Sequence, residues 1–201
     1  MDDTSMLMVV FLAAFIPVCG MAVLGAVGIG FLLWRNARRA GDFKTRWAAI
    51  AQAHDLTLDP GNTLQDPTLS GTIDGRAVTL TPIRSGPRSR SYAYTVAQTP
   101  ASVSGEILIA DRKRVHHVDG ASGAEVAIAG SALAATHIVH GSPELAAALL
   151  TPDLTTRLIQ NAVSHVRVAE GQLSVRRPGH LNGEGECLAL LKLAADLASR
   201  L

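Results

Sequence analysis

Seven histidines and two cysteines are the first places to look for chemistry in this chain. A metal centre needs several donors converging on one point. His116 and His117 are adjacent, so a strand turns them to opposite sides, and His137 and His140 are spaced so that only a helix would bring them together. The β-branched run Thr136-His137-Ile138-Val139 reads as a strand instead. No cysteine accompanies these histidines, and hydrogen-bonded or solvated imidazoles are the expectation, with no metal and no other cofactor. Cys19 sits in an apolar N-terminal run and Cys187 in a Leu-rich helical pattern, the setting of a buried, inert thiol. Two cysteines so placed make no disulfide framework.

Nucleophilic catalysis finds no better footing. There is no Gly-x-Ser-x-Gly elbow. Ser142, before Pro143 and Glu144, is accounted for as a helix cap, and Glu184 and Glu186 stand in a Gly-rich turn where acids favour the start of a helix. The chain therefore reads as a non-enzyme. Its basic residues are more suggestive. Arg84, Arg88 and Arg90 share one Ser/Gly/Pro loop, and Arg112, Lys113 and Arg114 form a second cluster. These six are candidate contacts for an anionic lipid headgroup or ligand, since each basic residue near an anionic leaflet gains about 1 kcal/mol. Nucleic acid is not expected, because single strands want stacking aromatics and only Tyr92 and Tyr94 adjoin the loop.

The elements that must carry these residues begin with a membrane segment. Between Asp3 and Arg35 the 201-residue chain has no charged residue, and the run Met6–Trp34 exceeds the roughly 20 residues that span a bilayer. An acidic N-terminus and so long an apolar run argue against a cleaved signal peptide. Arg35, Arg38, Arg39, Lys44 and Arg46 crowd its C-terminal flank, which places the N-terminus outside and the remainder in the cytoplasm, at a cell inner membrane. Ala22, Ala26 and Gly30 recur at every fourth position, a stripe that would let two helices approach closely in a homo- or hetero-oligomer. Three regions follow: a transmembrane anchor over 1–34, a basic link over 35–42 and a cytoplasmic domain over 43–201. Beyond Trp34 lie all 18 Lys and Arg and all but two of the 17 acids, for a net charge of about +3, well short of a dedicated nucleic-acid binder.

Within the domain, Asp42 is placed to cap a helix to about His54, with Phe43, Trp47, Ile50, Ala51 and His54 on one face. Asp59-Pro60-Gly61-Asn62 is a turn. Leu69–Ile73 and Arg76–Leu80 alternate around Asp74-Gly75, the strongest hairpin signal present, with Ile83 closing the second strand. Tyr92–Val96, Glu106–Ala110 and Thr136–His140 read as further strands, and the segment 112–135 as one or two short ones through Val115, Val118, Val126 and Ile128. Ser142-Pro143 and Thr151-Pro152 open two helices, the second reaching about Ala162. Val166–Val168 and Leu173–Val175 form a second hairpin at Glu170-Gly171, and an amphipathic helix from Glu186 to Leu201 closes the chain, with Leu190, Leu193, Ala194, Leu197 and Leu201 on one stripe. Hairpin connections without β-α-β alternation predict an α+β domain whose helices pack on one face of an antiparallel sheet.

An anchor, a capped amphipathic helix, the Leu69–Leu80 hairpin and the segment Leu149-Leu150-Thr151-Pro152-Asp153-Leu154 before a late hairpin resemble a loose set of bacterial single-pass, membrane-anchored α+β proteins. The resemblance implies architecture and no activity. Those proteins carry a Phe-Asp element before the late strand, and Gly123 to Ala135 here has no aromatic. The functional expectation is a membrane-tethered interaction or scaffold module, or an accessory subunit of an inner-membrane assembly. The alternative is a cytoplasmic sensor that binds an anionic small molecule or lipid headgroup.

Overall fold

The computed structural model describes residue 31 and residues 43–62, 65–85, 92–113, 123–128 and 131–201. The chain divides into two compact units, Met1–Phe43 and Lys44–Leu201. The proposed span, including Ala22, Ala26 and Gly30, lies outside the described residues apart from Phe31, which is helical and 56% exposed. Among the described residues no helix is long and apolar enough to cross a membrane. Asp42, Arg88, Arg90, Arg114, His116, His117, Val115 and Val118 also fall outside them.

The period-2 alternation of the strands decides the architecture of the second unit. After helix α1 (residues 43–53) come β1 (Thr57–Asp59), β2 (Thr68–Ile73), β3 (Arg76–Ser85), β4 (Tyr92–Pro100), β5 (Ile107–Asp111) and β6 (His137–Gly141). Helices α2 (Pro143–Leu149) and α3 (Pro152–Gln160), strands β7 (His165–Ala169) and β8 (Gln172–Pro178), and helix α4 (Glu184–Ser199) complete it. All eight strands form one antiparallel sheet in the order β1-β2-β3-β4-β8-β7-β5-β6. The α+β expectation holds, with four helices among the described residues of this unit.

One row of cross-strand neighbours shows what the sheet is for. Leu58, Leu69, Leu80, Ala97, Val175, Val166, Ile109 and Val139 stand opposite one another in succession from one edge to the other. Every member but the edge Leu58 is at most 1% exposed. Residues directly opposite share a face, so this row defines an apolar face, and the helices cover it. Helix α4 packs on β2, β3, β4 and β8, and its Leu190, Leu193, Ala194 and Leu197 are buried, as the sequence stripe anticipates. Helix α1 is fixed by Trp47, fully buried, whose indole N–H donates to the Leu181 carbonyl at 2.9 Å. Thr95, on the same sheet face, donates its hydroxyl to Gly179 at 2.9 Å and accepts the Leu181 N–H at 3.1 Å. Helix α3 joins this layer through an Arg157–Asp196 ion pair to α4, with Arg200 reaching Asp153 and Asp196 at 3.6 Å.

The local signals behave as their chemistry dictates. Asp74 (φ 51°) and Gly75 (φ 77°) both occupy the left-handed region that a two-residue hairpin turn requires. Ser142 and Thr151 cap α2 and α3 by accepting the N–H groups of Leu145 and Leu154, each with Pro at the helix start. Several boundaries differ from the sequence reading. Strand β4 runs on to Pro100, because Ala97 and Thr99 continue the buried row even though β-propensity fades. Strand β1 goes unseen in the sequence, because three residues are too few to show a period. In the difficult 112–135 stretch the described part forms a single bridge, Glu125 to His140, along the edge of β6. Helix α3 stops at Gln160, where Asn161 and Ala162 turn the chain toward β7.

Candidate functional site

Strand polarity assembles a site that sequence distance hides. Strand β3 ends, β4 begins, β8 ends, β7 begins, β5 ends and β6 begins at one end of the sheet. The junctions fix this: Arg84 lies opposite Ala93, Gly179 bonds Ala93, Asp111 bonds Ser164, and Asp111 lies opposite His137. Arg84, at the end of β3, and Arg112 and Lys113, just past β5, therefore share that end. Four strand steps separate β3 from β5, roughly 19 Å at ~4.8 Å per step.

All three side chains are exposed. Arg84 and Lys113 have no carboxylate partner among the described residues, and Arg112 reaches Glu125 only at 3.8 Å. Alternation turns Arg84 toward the helix-covered face and Arg112 toward the other, so the structure gathers them along one rim and not into one cluster. Lys44 lies one turn before Trp47, whose indole is bonded to the strap 179–181 leaving β8.

The histidines find structural partners. His137 and His140 share β6, so alternation sends them to opposite faces. His137 donates from Nε2 to the Val163 carbonyl at 3.2 Å, and His140 from Nδ1 to the Gly123 carbonyl at 3.4 Å. His165 is 2% exposed. Ser164 spends its one proton on the Arg176 carbonyl at 3.1 Å, so the 2.9 Å contact between its hydroxyl and His165 Nδ1 has the imidazole as donor. The Tyr94 ring meets His165 edge-on at 5.9 Å. His54, just past α1, pairs with Glu184 at 2.7 Å. Among the described residues no three His, Cys, Asp or Glu side chains are grouped to hold a metal ion.

Cys187 is fully buried in α4, and desolvation, with the neighbouring Glu186 carboxylate adding to it, pushes its thiol up to about 12. Such a thiol is neutral and unreactive. The Glu144 carboxyl is held below its ordinary value by the Ser142 hydroxyl, which donates to it at 2.6 Å as part of the α2 cap. Between α2, α3 and the strip 126–132 lies a groove of about 650 Å³ lined by Val126, Ile128, Ala146, Leu150 and Thr155 among others. Its walls are mainly apolar, with hydroxyls from Ser131, Thr155 and Thr156, and carry no ionisable group.

One basic residue that the sequence reading passes over lies away from the rim, in the middle of a strand. Arg167, in β7, lies opposite Ser174 on one side and Leu108 on the other, on the sheet face opposite the apolar row. Arg176, opposite His165, is its diagonal neighbour on the same face. The only advance signal was an outward polar position in an alternating strand, which usually means solvent.

No family model matches the chain, and neither a curated protein nor a solved structure resembles it.

Proposed function

We propose that this chain is a membrane-tethered, non-enzymatic interaction module. The apolar run Met6–Trp34 holds it at the inner membrane with residues 43–201 in the cytoplasm, and the basic rim of the sheet docks on anionic headgroups. The observation that carries this reading is the strand polarity that brings Arg84, Arg112 and Lys113 to one sheet end, all exposed and two of them without an acidic partner among the described residues. A rim of separated charges suits a flat anionic surface better than a small ligand, which needs its contacts to converge. A stripe of Ala22, Ala26 and Gly30 in the span gives the same chain a route to self- or partner association.

Residues 44–201 carry their own buried core, so this part is the reagent for the test. It is expected to co-sediment with liposomes containing an anionic phospholipid at low salt and to leave them as salt rises. Electrostatic reach falls from ~30 Å at 0.01 M to ~8 Å at physiological ionic strength. At about 1 kcal/mol per basic residue, changing Arg84, Arg112 and Lys113 together to Gln is expected to weaken binding on the order of 100-fold. Pure phosphatidylcholine liposomes should not bind. Failure to bind anionic liposomes at low salt, with circular dichroism showing a folded protein, defeats the reading.

A further inference from the structure

A groove of about 650 Å³ opens between α2, α3 and residues 126–128 and 131–132. Strand β6 begins at the basic rim and ends at Gly141, so α2 sets out from the opposite end of the sheet. The gap exists because the residues that meet there are small. Ala127, Ala132, Ala146 and Ala147 stand where larger side chains would interdigitate. Ala127, Ala132 and Ala147 are exposed, so the groove is open to solvent.

Its wall holds a hydroxyl that the fold leaves unused. Thr155 lines the groove at 4% exposure, and its Oγ1 has no hydrogen-bond partner among the described residues. The adjacent Thr156, exposed on the same helix, behaves ordinarily and donates to the Pro152 carbonyl at 2.9 Å, one turn back. The carbonyl in that position for Thr155 belongs to Thr151, and it takes the Thr155 N–H at 2.8 Å without the hydroxyl. A buried hydroxyl without a partner costs free energy, and the large majority of such groups in folded proteins are paired. An open groove with an uncommitted hydroxyl in its wall has the make-up of a small-molecule site, which is mainly apolar with a few placed polar groups and measures ~300–1,000 Å³.

We infer that the groove binds an uncharged amphiphile, a hydrocarbon chain ending in a hydroxyl or carbonyl that meets Thr155. The described residues that line it carry no ionisable group, so a charged head would surrender its hydration with nothing in return. A threonine hydroxyl donates one hydrogen bond and accepts others, which suits a neutral oxygen. One benzene fills an enclosed cavity of ~150 Å³, so this volume accommodates a chain of about ten carbons with room to spare. Twelve described residues line the groove, fewer than the ~20–30 a side of a stable protein interface, which favours a small ligand over a folded partner. Neither the anchor nor the basic rim is part of the site, so it stands independently of both.

The full chain in phosphatidylcholine nanodiscs is irradiated with a primary alcohol of about ten carbons that bears a diazirine in its chain, and labelled peptides are identified by mass spectrometry. Saturable labelling is expected within residues 143–156, displaced by 1-decanol. Decanoate near pH ~8, where its carboxyl is charged, should displace the label about tenfold less well. Thr155→Val keeps the shape and removes the hydroxyl, and it should weaken labelling about fivefold at an unchanged melting curve, as the loss of one hydrogen bond does. Ala147→Leu fills the groove and should abolish labelling, whereas Ala48→Leu, at an exposed alanine of α1, should leave it unchanged. Absence of saturable labelling in 143–156 leaves the groove to a protein or to solvent and overturns the inference. So does equal labelling in folded Thr155→Val, or displacement by decanoate as strong as by 1-decanol. If Thr155→Val does not fold, Ala147→Leu decides: lost labelling supports the site, and full labelling overturns it.

Discussion

The two faces of the sheet use the same strands and obey opposite rules. On the helix-covered face, Leu69, Leu80, Ala97, Val175, Val166, Ile109 and Val139 make an unbroken apolar row, and α4 and Trp47 press onto it. On the other face, Arg176, His165, Arg167 and His140 interrupt Val96, Leu108 and Ala110. Adjacent residues of a strand thus live in different solvents. Val168 is fully buried and Arg167, one residue away, is not. Both faces bury their apolar members, Val96, Leu108 and Ala110 on the second among them, but only the second places arginines, Arg167 and Arg176, between them.

The largest expected effect tests this division directly. Val168→Arg puts a charge into the apolar face, between Ile107 and Leu173, with no acid opposite to meet it. A cost above ~4 kcal/mol follows, as for other buried unpaired charges. Residues 44–201 carrying this change should fail to give a cooperative melt by circular dichroism. A cooperative melt close to that of the wild type would mean that the row is not a packed core.

Next comes the link between the helix layer and that row. Trp47→Ala removes the largest buried side chain of α1 and leaves the Leu181 carbonyl only the weak Cys187 thiol donor at 3.8 Å. Large aromatic-to-alanine changes in cores cost ~3–5 kcal/mol, and urea denaturation should show a loss in that range at unchanged m-value. A loss below ~1 kcal/mol would show that α4 alone secures the layer.

Much of the first face was legible in the sequence, and the reason is local. Asp74-Gly75 can turn only one way, Ser142-Pro143 and Thr151-Pro152 specify helix starts within a few residues, and Leu69–Leu80 alternates at the period of a strand. Pairings between distant segments were not legible. Nothing in Tyr92–Pro100 announces Gln172–Pro178 as its neighbour, because that choice belongs to the apolar faces of all strands at once. Gly141 shows the same limit. It reads as a strand terminator, but it has φ 123° and leaves so little room that a Cβ would lie 2.2 Å from the Glu106 carbonyl oxygen. The site divides in the same way. Arg84 and the Arg112–Lys113 pair were visible as loop clusters, and only strand polarity showed that they share a rim. Arg167 drew no notice in the sequence, because a missing partner is a property of the fold and not of a residue.

The smallest expected effect is the most discriminating. Arg167→Val replaces a partly exposed, unpaired charge with a β-branched residue that suits a strand flanked by Ser174 and Leu108. A charge that contributed to folding through an ion pair would cost stability on removal. Among the described residues Arg167 has no such pair, and removing its desolvation offsets the lost contacts of its methylene stem, so a change within about 0.5 kcal/mol, in either direction, is expected. Urea denaturation of residues 44–201 measures it. A loss above ~1.5 kcal/mol would mean that Arg167 holds the sheet together, and the contrast between the two faces would then fail at that residue.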